Sequence, residues 1–183
     1  PMDRRSGIIG DTEVTVYLGS NREVIKILKG CIRINQEIFE FVKIGQQFSD
    51  VAKFANKIIT REGFTNNVLS TSDPQSVNLG HTIPATEKDW TQDEKDVLEG
   101  GGSKWENVCQ LIRKKRIFVN EAEDFDIEAP MAFTIEPRLR LQNRPDFPSA
   151  WSHSIVFINK NGEKEQLFGF EEIYKICGIK YLP

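Results

Sequence analysis

The run Met131-Ala132-Phe133-Thr134-Ile135-Glu136-Pro137-Arg138-Leu139 constrains the fold of this chain more than any other stretch. Its apolar and β-branched residues read as a buried strand, yet Glu136 sits inside it and Pro137 follows at once. Proline has no N–H to give a ladder and fixes its own backbone, so the strand must stop just past the carboxylate. A carboxylate among apolar side chains is costly unless a positive group meets it. The residues alone leave two partners open: a metal ion, or an arginine or lysine side chain.

The remaining patterns describe helices laid over a sheet. Val14 to Leu18 alternates as a strand and ends at Gly19. Ser20 with Glu23 forms a capping box, and Val24, Leu28, Cys31, Ile34, Ile38 and Phe41 recur at helical spacing as far as Val42. After Gly45, a second helix from about Ser49 carries Val51, Phe54, Ala55, Ile58 and Ile59 on one face and closes at Gly63. Residues 64–90 read as irregular, with Ser72-Asp73-Pro74 and Ile83-Pro84 as breakers. Thr91 with Glu94, and Ser103 with Glu106, box two further helices; the second has a stripe of Trp105, Val108, Cys109 and Ile112. The basic cluster at Arg113–Arg116 suits a helix C-terminus, and the acidic stretch from Glu121 to Glu128 suits a solvated loop. One strand over 131–141, strands over 153–159 and 164–168 joined by an Asn159-Lys160-Asn161-Gly162 hairpin, and a last helix over 170–177 complete the chain.

With 183 residues, 39% of them apolar and 28% charged, the chain is expected to form a single domain over 1–183 with a substantial core. The net charge of −3 gives no bulk attraction to nucleic acid or to an anionic membrane. Cys31, Cys109 and Cys177 are odd in number and far apart, which suits reduced thiols in a cytoplasmic setting and lacks the short spacing of a zinc site. No apolar run approaches the roughly 20 residues that span a bilayer.

Candidate chemistry rests on few residues. The chain has two histidines. His81 follows Gly80, a residue that lets the backbone pass close to another element, and His153 opens an apolar strand. Each could equally be a hydrogen-bonded structural histidine. Asp11 precedes the first strand and by itself reads as a turn residue. Carboxylates with imidazole and no nearby thiolate suit a hard or borderline cation such as manganese, cobalt or zinc.

The order of these pieces carries a resemblance. Asp11, a strand, two amphipathic helices, Gly80-His81, Phe133-Thr134-Ile135-Glu136-Pro137, then a strand and an Asn-Gly hairpin resemble the creatinase/aminopeptidase or pita-bread family, over about Gly7 to Phe168. Methionine aminopeptidases, Xaa-Pro aminopeptidases and prolidases share that fold. The resemblance implies an α+β domain, a curved antiparallel sheet covered by amphipathic helices, matching the C-terminal two-thirds of a pita-bread catalytic domain. It implies metal ligands at Asp11, His81 and Glu136, and metal-assisted hydrolysis of an amide next to proline. Glu136 is then expected to face His81.

The sequence departs from the family pattern in three places. The family's first ligand aspartate, about ten residues before the second, falls by position at or before Pro1, where Asp3 is the one acid and lies in a charged stretch unlike the family's apolar strand. The last ligand glutamate falls by position at His153 or Ser154, which makes His153 a replacement candidate. No histidine occurs between Thr82 and Pro130, where the family has a second active-site imidazole, and Glu87 is no chemical substitute for it. Three readings follow: an Xaa-Pro aminopeptidase-like metallopeptidase impaired in this chain; a non-catalytic module that binds peptides, as some pita-bread domains in chromatin factors do; and a creatinase-like, metal-independent amidinohydrolase with His81 as base. The partner expected is a peptide, without nucleic acid or membrane, and exposed edge strands suggest a homodimer.

Overall fold

A computed structural model describes residues 13–67, 77–83, 91–99 and 105–180. Five helices and six strands are defined: α1 Arg22–Phe41, α2 Phe48–Arg61, β1 Phe64–Asn66, α3 Gln92–Glu99, α4 Trp105–Lys115, β2 Met131–Ile135, β3 Arg138–Leu141, β4 Ala150–Trp151, β5 Ser154–Ile158, β6 Lys164–Leu167 and α5 Glu171–Ile176. The strands form two antiparallel sheets of three, in the orders β1-β3-β4 and β2-β5-β6.

The run expected as one strand over 131–141 is divided between these sheets. Met131–Ile135 pairs with β5, whereas Arg138–Leu141 pairs with β1 and β4. The break falls at Glu136-Pro137, where proline cannot donate to a ladder. The facing chain breaks at the same level, since β4 ends at Trp151 and β5 starts at Ser154. Two continuous stretches of chain therefore cross from one sheet to the other side by side. Glu136 lies in one crossing and His153 in the other.

Helix α1 covers this junction. Its buried residues Ile27, Leu28, Cys31, Ile34, Asn35 and Ile38 follow the 3.6-residue period and pack toward β3 and β4. Each large aliphatic side chain so buried stabilises the fold by about 1.5–3 kcal/mol. The N-cap is Asn21, whose side chain accepts from the Glu23 N–H at 2.9 Å, one residue later than the Ser20 cap that the sequence suggests. Helix α2 starts with a Gln47/Asp50 capping box and buries Val51, Ala55, Ile58 and Ile59. Its Phe48 ring sits 5.1 Å from that of Phe133 on β2, so the helix start is seated on the strand that leads to Glu136.

Several sequence expectations are corrected. Val14–Leu18 is not a regular strand; Val14 makes an isolated bridge to Ser152, with Thr15 N–H donating to Trp151 O at 3.2 Å. Part of the stretch expected as irregular is β1, and Leu79 to Ile83 runs extended along β2. Backbone hydrogen bonds from Glu136 to Leu79, Thr134 to His81 and Ile83 to Ala132 set this antiparallel register. Residues 117–119 flank its other side, with Leu79 N–H donating to Val119 O at 2.8 Å. These short pieces lack the alternation that marks a longer strand. The acidic loop is mostly exposed, but Ile127 within it is fully buried.

Other expectations hold. The Thr91/Glu94 box forms, with Thr91 N–H donating to Glu94 Oε2 at 2.9 Å and Glu94 N–H to Thr91 Oγ1 at 3.3 Å. Lys115 at the end of α4 reaches Glu94 at 3.0 Å, tying the two helices together. The hairpin joins β5 to β6, with Gly162 N–H donating to Asn159 O at 3.0 Å. The apolar stripe of the fourth helix, Ser103 and Asp11 lie outside what is described.

Candidate functional site

The site is assembled by three backbone segments that meet beside the sheet junction. Glu136 comes from the break after β2, His153 from the break before β5, and His81 from the extended segment along β2. His81 and His153 are buried, and the Glu136 side chain is 13% exposed. His81 Nε2 lies 3.2 Å from Glu136 Oε1, and His153 Nε2 lies 3.9 Å from the same oxygen. Among the described residues, the side chains that approach this acid are thus imidazoles and not lysine or arginine.

Gly80 allows this approach. A Cβ built there would stand 2.1 Å from the Thr134 carbonyl oxygen and 2.8 Å from Thr134 Oγ1. Thr134 uses the closeness twice. Its hydroxyl accepts from the His81 backbone N–H at 3.0 Å and donates to Glu136 Oε1, so one side chain fixes both the histidine and the acid.

The orientation of the His81 ring has a chemical consequence. Its Nδ1 lies 2.9 Å from the Thr82 carbonyl oxygen, which can only accept, so Nδ1 carries the proton. Nε2 then presents a lone pair to the Glu136 carboxylate. Two acceptors face each other at 3.2 Å only with a proton or a cation shared between them.

Asn35 was not singled out from the sequence, yet it holds the junction together. Fully buried on α1, its amide nitrogen donates to Ile135 O at 3.2 Å and Ser152 O at 2.8 Å. These are the carbonyls next to Glu136 and His153, where the strands part. Asn35 Oδ1 accepts from Ser154 Oγ at 2.5 Å and from Gln166 Nε2 at 3.0 Å. The available signal was a lone amide among Cys31, Ile34 and Ile38 on an otherwise apolar face.

His81 and Glu136 are placed as two ligands of one cation would be. His153 is the next donor, and Asp11 lies outside the described residues. Among the described residues no group of three or more His, Cys, Asp or Glu side chains is arranged as a metal site. Among the described residues the donors do not make a two-metal centre, because two divalent ions carry four positive charges and Glu136 offers one negative charge. A single cation on His81 and Glu136 fits the orientation of the Nε2 lone pair.

A helix-covered antiparallel α+β architecture, with an acid-bearing strand break facing a Gly-His segment, matches part of a pita-bread fold. The chain belongs to metallopeptidase family M24, whose model matches residues 4–161. Solved structures share the fold. A prolidase from Pyrococcus furiosus is 18% identical with a TM-score of 0.57, covering 86% of this chain and 36% of that one. An X-Pro aminopeptidase from Thermotoga maritima is 16% identical with a TM-score of 0.51, covering 82% of this chain and 32% of that one. An Xaa-Pro dipeptidase from Bacillus anthracis is 14% identical with a TM-score of 0.51, with shares of 82% and 32%. The chain spans about a third of the length of these structures. No curated protein matches it in sequence. No helix among the described residues is long and apolar enough to cross a membrane.

Proposed function

We propose that the chain is a prolidase- or Xaa-Pro aminopeptidase-like domain that engages the amide next to a proline at Glu136, with hydrolysis impaired. The 3.2 Å approach of His81 Nε2 to Glu136 Oε1, with the Nε2 lone pair turned toward the acid, carries this reading. That geometry suits a divalent ion, manganese, cobalt or zinc, held by His81 and Glu136 with Asp11 and His153 as further ligands. When bound, the ion supplies Lewis-acid polarisation of an amide carbonyl. The chain's own residues do the rest: Thr134 fixes the acid, Gly80 admits the histidine, and Asn35 sets the spacing between the two strand breaks. Impairment follows from the family's last ligand glutamate falling by position at His153 or Ser154, and from the lack of a histidine between Thr82 and Pro130.

The proposal includes a single domain over 1–183, equivalent to the C-terminal two-thirds of a pita-bread domain. It places the protein in the cytoplasm as a homodimer with a peptide partner, without nucleic acid or membrane. A recognition module without turnover is the second reading, favoured by the family's last ligand glutamate falling by position at His153 or Ser154. The His81–Glu136 pair also suits a creatinase-like base acting without metal, which activity persisting in chelator would support.

The test is hydrolysis and calorimetric binding of Xaa-Pro peptides, with and without manganese. Binding with little turnover, lost in both His81→Ala and Glu136→Gln, is expected. Efficient turnover abolished by both variants would refute the impairment. Neither binding nor turnover would refute the proposal.

A further inference from the structure

Between α1 and α5 lies a cavity of about 160 Å³ that none of His81, Glu136 and His153 lines. Ile32 and Gln36, one turn apart on α1, form one wall. Phe168, Glu171 and Tyr174, from the stretch after β6 and from α5, form the other. These last three lie beyond residues 4–161, the stretch matched to family M24.

The lining combines rings, an aliphatic floor and one charge. Ile32 and Tyr174 are buried, and Phe168 is half-buried. Tyr174 is fixed from several sides. Its ring lies 6.4 Å from that of the buried Phe170, its N–H donates to Phe170 O at 3.0 Å, and its carbonyl accepts from Ile179 N–H at 2.8 Å. Gln36 and Glu171 are exposed and stand at the mouth. Glu171 is the one charged group among the described lining residues, and no lysine or arginine among the described residues pairs with it. Glu172 beside it adds a second negative charge.

Size and charge together select the ligand. A cavity of ~150 Å³ takes one group the size of benzene. Aromatic rings attract a cation through their quadrupole, and a carboxylate at the mouth adds its own field. A primary ammonium is compact, strongly hydrated and needs acceptors for its three N–H donors. An alkylated ammonium needs none, and its methyl groups can pack on Ile32 and the rings. We infer that this cavity binds a trimethylammonium group carried by a small choline-like molecule. A phosphocholine headgroup carries the same ammonium but would bring a phosphate toward Glu171 and Glu172, which disfavours it.

The test titrates the full chain, with labelled tyrosine rings and imidazoles, with choline, with its neutral isostere in which carbon replaces nitrogen, and with phosphocholine. Three tyrosines give a sparse spectrum in which Tyr174 is resolved. Choline should bind saturably, shift the Tyr174 ring, show NOEs from its methyl protons to Tyr174 and Phe168, and leave both imidazoles unmoved. The neutral isostere should bind about 10-fold more weakly, and phosphocholine more weakly than choline. Glu171→Gln, at an exposed position, should weaken choline about 3-fold and leave the isostere and the melting temperature unchanged. No saturation by choline, equal affinity for choline and the isostere, or an unaltered choline affinity in Glu171→Gln would overturn the inference. Methyl contacts at the imidazoles in place of Tyr174 would overturn it too. Phosphocholine binding as tightly as choline would overturn the assignment to a free small cation and point to a lipid headgroup.

Discussion

Adding one methyl group at Gly80 should separate the segment that carries His81 from the strand that carries Glu136. The new Cβ would meet the Thr134 carbonyl oxygen at 2.1 Å and its carbonyl carbon at 2.7 Å. These are backbone atoms of a paired strand, so no side chain can swing aside to make room. Relief requires the segments to part, which loosens the hydrogen bonds from Thr134 N–H to His81 O (2.8 Å), Glu136 N–H to Leu79 O (2.7 Å) and His81 N–H to Thr134 Oγ1 (3.0 Å). Each contributes about 0.5–1.5 kcal/mol net. Overpacking adds about 1–3 kcal/mol. Gly80→Ala should therefore destabilise the fold by about 2.5–7.5 kcal/mol, a large part of the roughly 5–15 kcal/mol typical of a domain. At about 2–4 °C per kcal/mol for a chain of this size, the melting temperature should fall by at least about 5 °C. Gly45→Ala is the control, because Gly45 has a φ of +84° but open space around it. It should cost only the roughly 1–2 kcal/mol of a left-handed backbone. Chemical denaturation of both variants measures the difference. A Gly80→Ala protein as stable as Gly45→Ala, with unchanged His81 resonances, would refute the close approach.

Further expectations concern the surroundings of the site. Asn35→Leu removes the buried amide that donates to the Ile135 and Ser152 carbonyls, so urea unfolding should show a loss of about 2–5 kcal/mol; a loss under about 1 kcal/mol would show that these carbonyls are satisfied without it. The Glu94 carboxyl is held below its ordinary value of 4.5, first by the Thr91 N–H and then by Lys115. Its stabilising contribution is complete above that value and is lost as the pH falls through the lower folded one, so Glu94→Gln should flatten the acid limb of stability against pH. Elemental analysis after equilibration with manganese should find fewer than two ions per chain. A value near two would mean that ligands beyond His81, Glu136 and His153 complete the centre.

Much of this architecture was legible because the strongest local signals agreed with the packing. The helix periods at Leu28, Cys31, Ile34 and Ile38, the Thr91/Glu94 box and the Asn159–Gly162 hairpin each form as the spacing implied. The Thr-x-Glu-Pro run announced a costly acid and a strand stop, and both are present at Glu136 and Pro137. What the run could not reveal is that its two ends serve different sheets, since pairing partners lie far along the chain. The extended segment at 79–83 stayed hidden for a related reason. It is held between β2 and residues 117–119 by backbone bonds, and Gly80 contributes no side-chain pattern at all. Asn35 was masked by its own stripe, because an amide on an apolar face reads as an exception until its carbonyl partners are known. Asp11 illustrates a different limit, a candidate ligand recognised by resemblance whose position lies outside the described residues.

The central claim is that His81, Glu136 and His153 act as one site. The chain contains only these two histidines, so a long-range ¹H–¹⁵N spectrum of the imidazoles reports on each ring without overlap. Comparing the native chain with Glu136→Gln, each with and without a saturating Xaa-Pro peptide, is the most direct measurement. The account predicts that Glu136→Gln moves the Nε2 resonances of both rings, that the peptide moves both in the native chain, and that the variant no longer responds to the peptide. A variant in which either ring keeps its native resonances, or which still responds fully to the peptide, would contradict it.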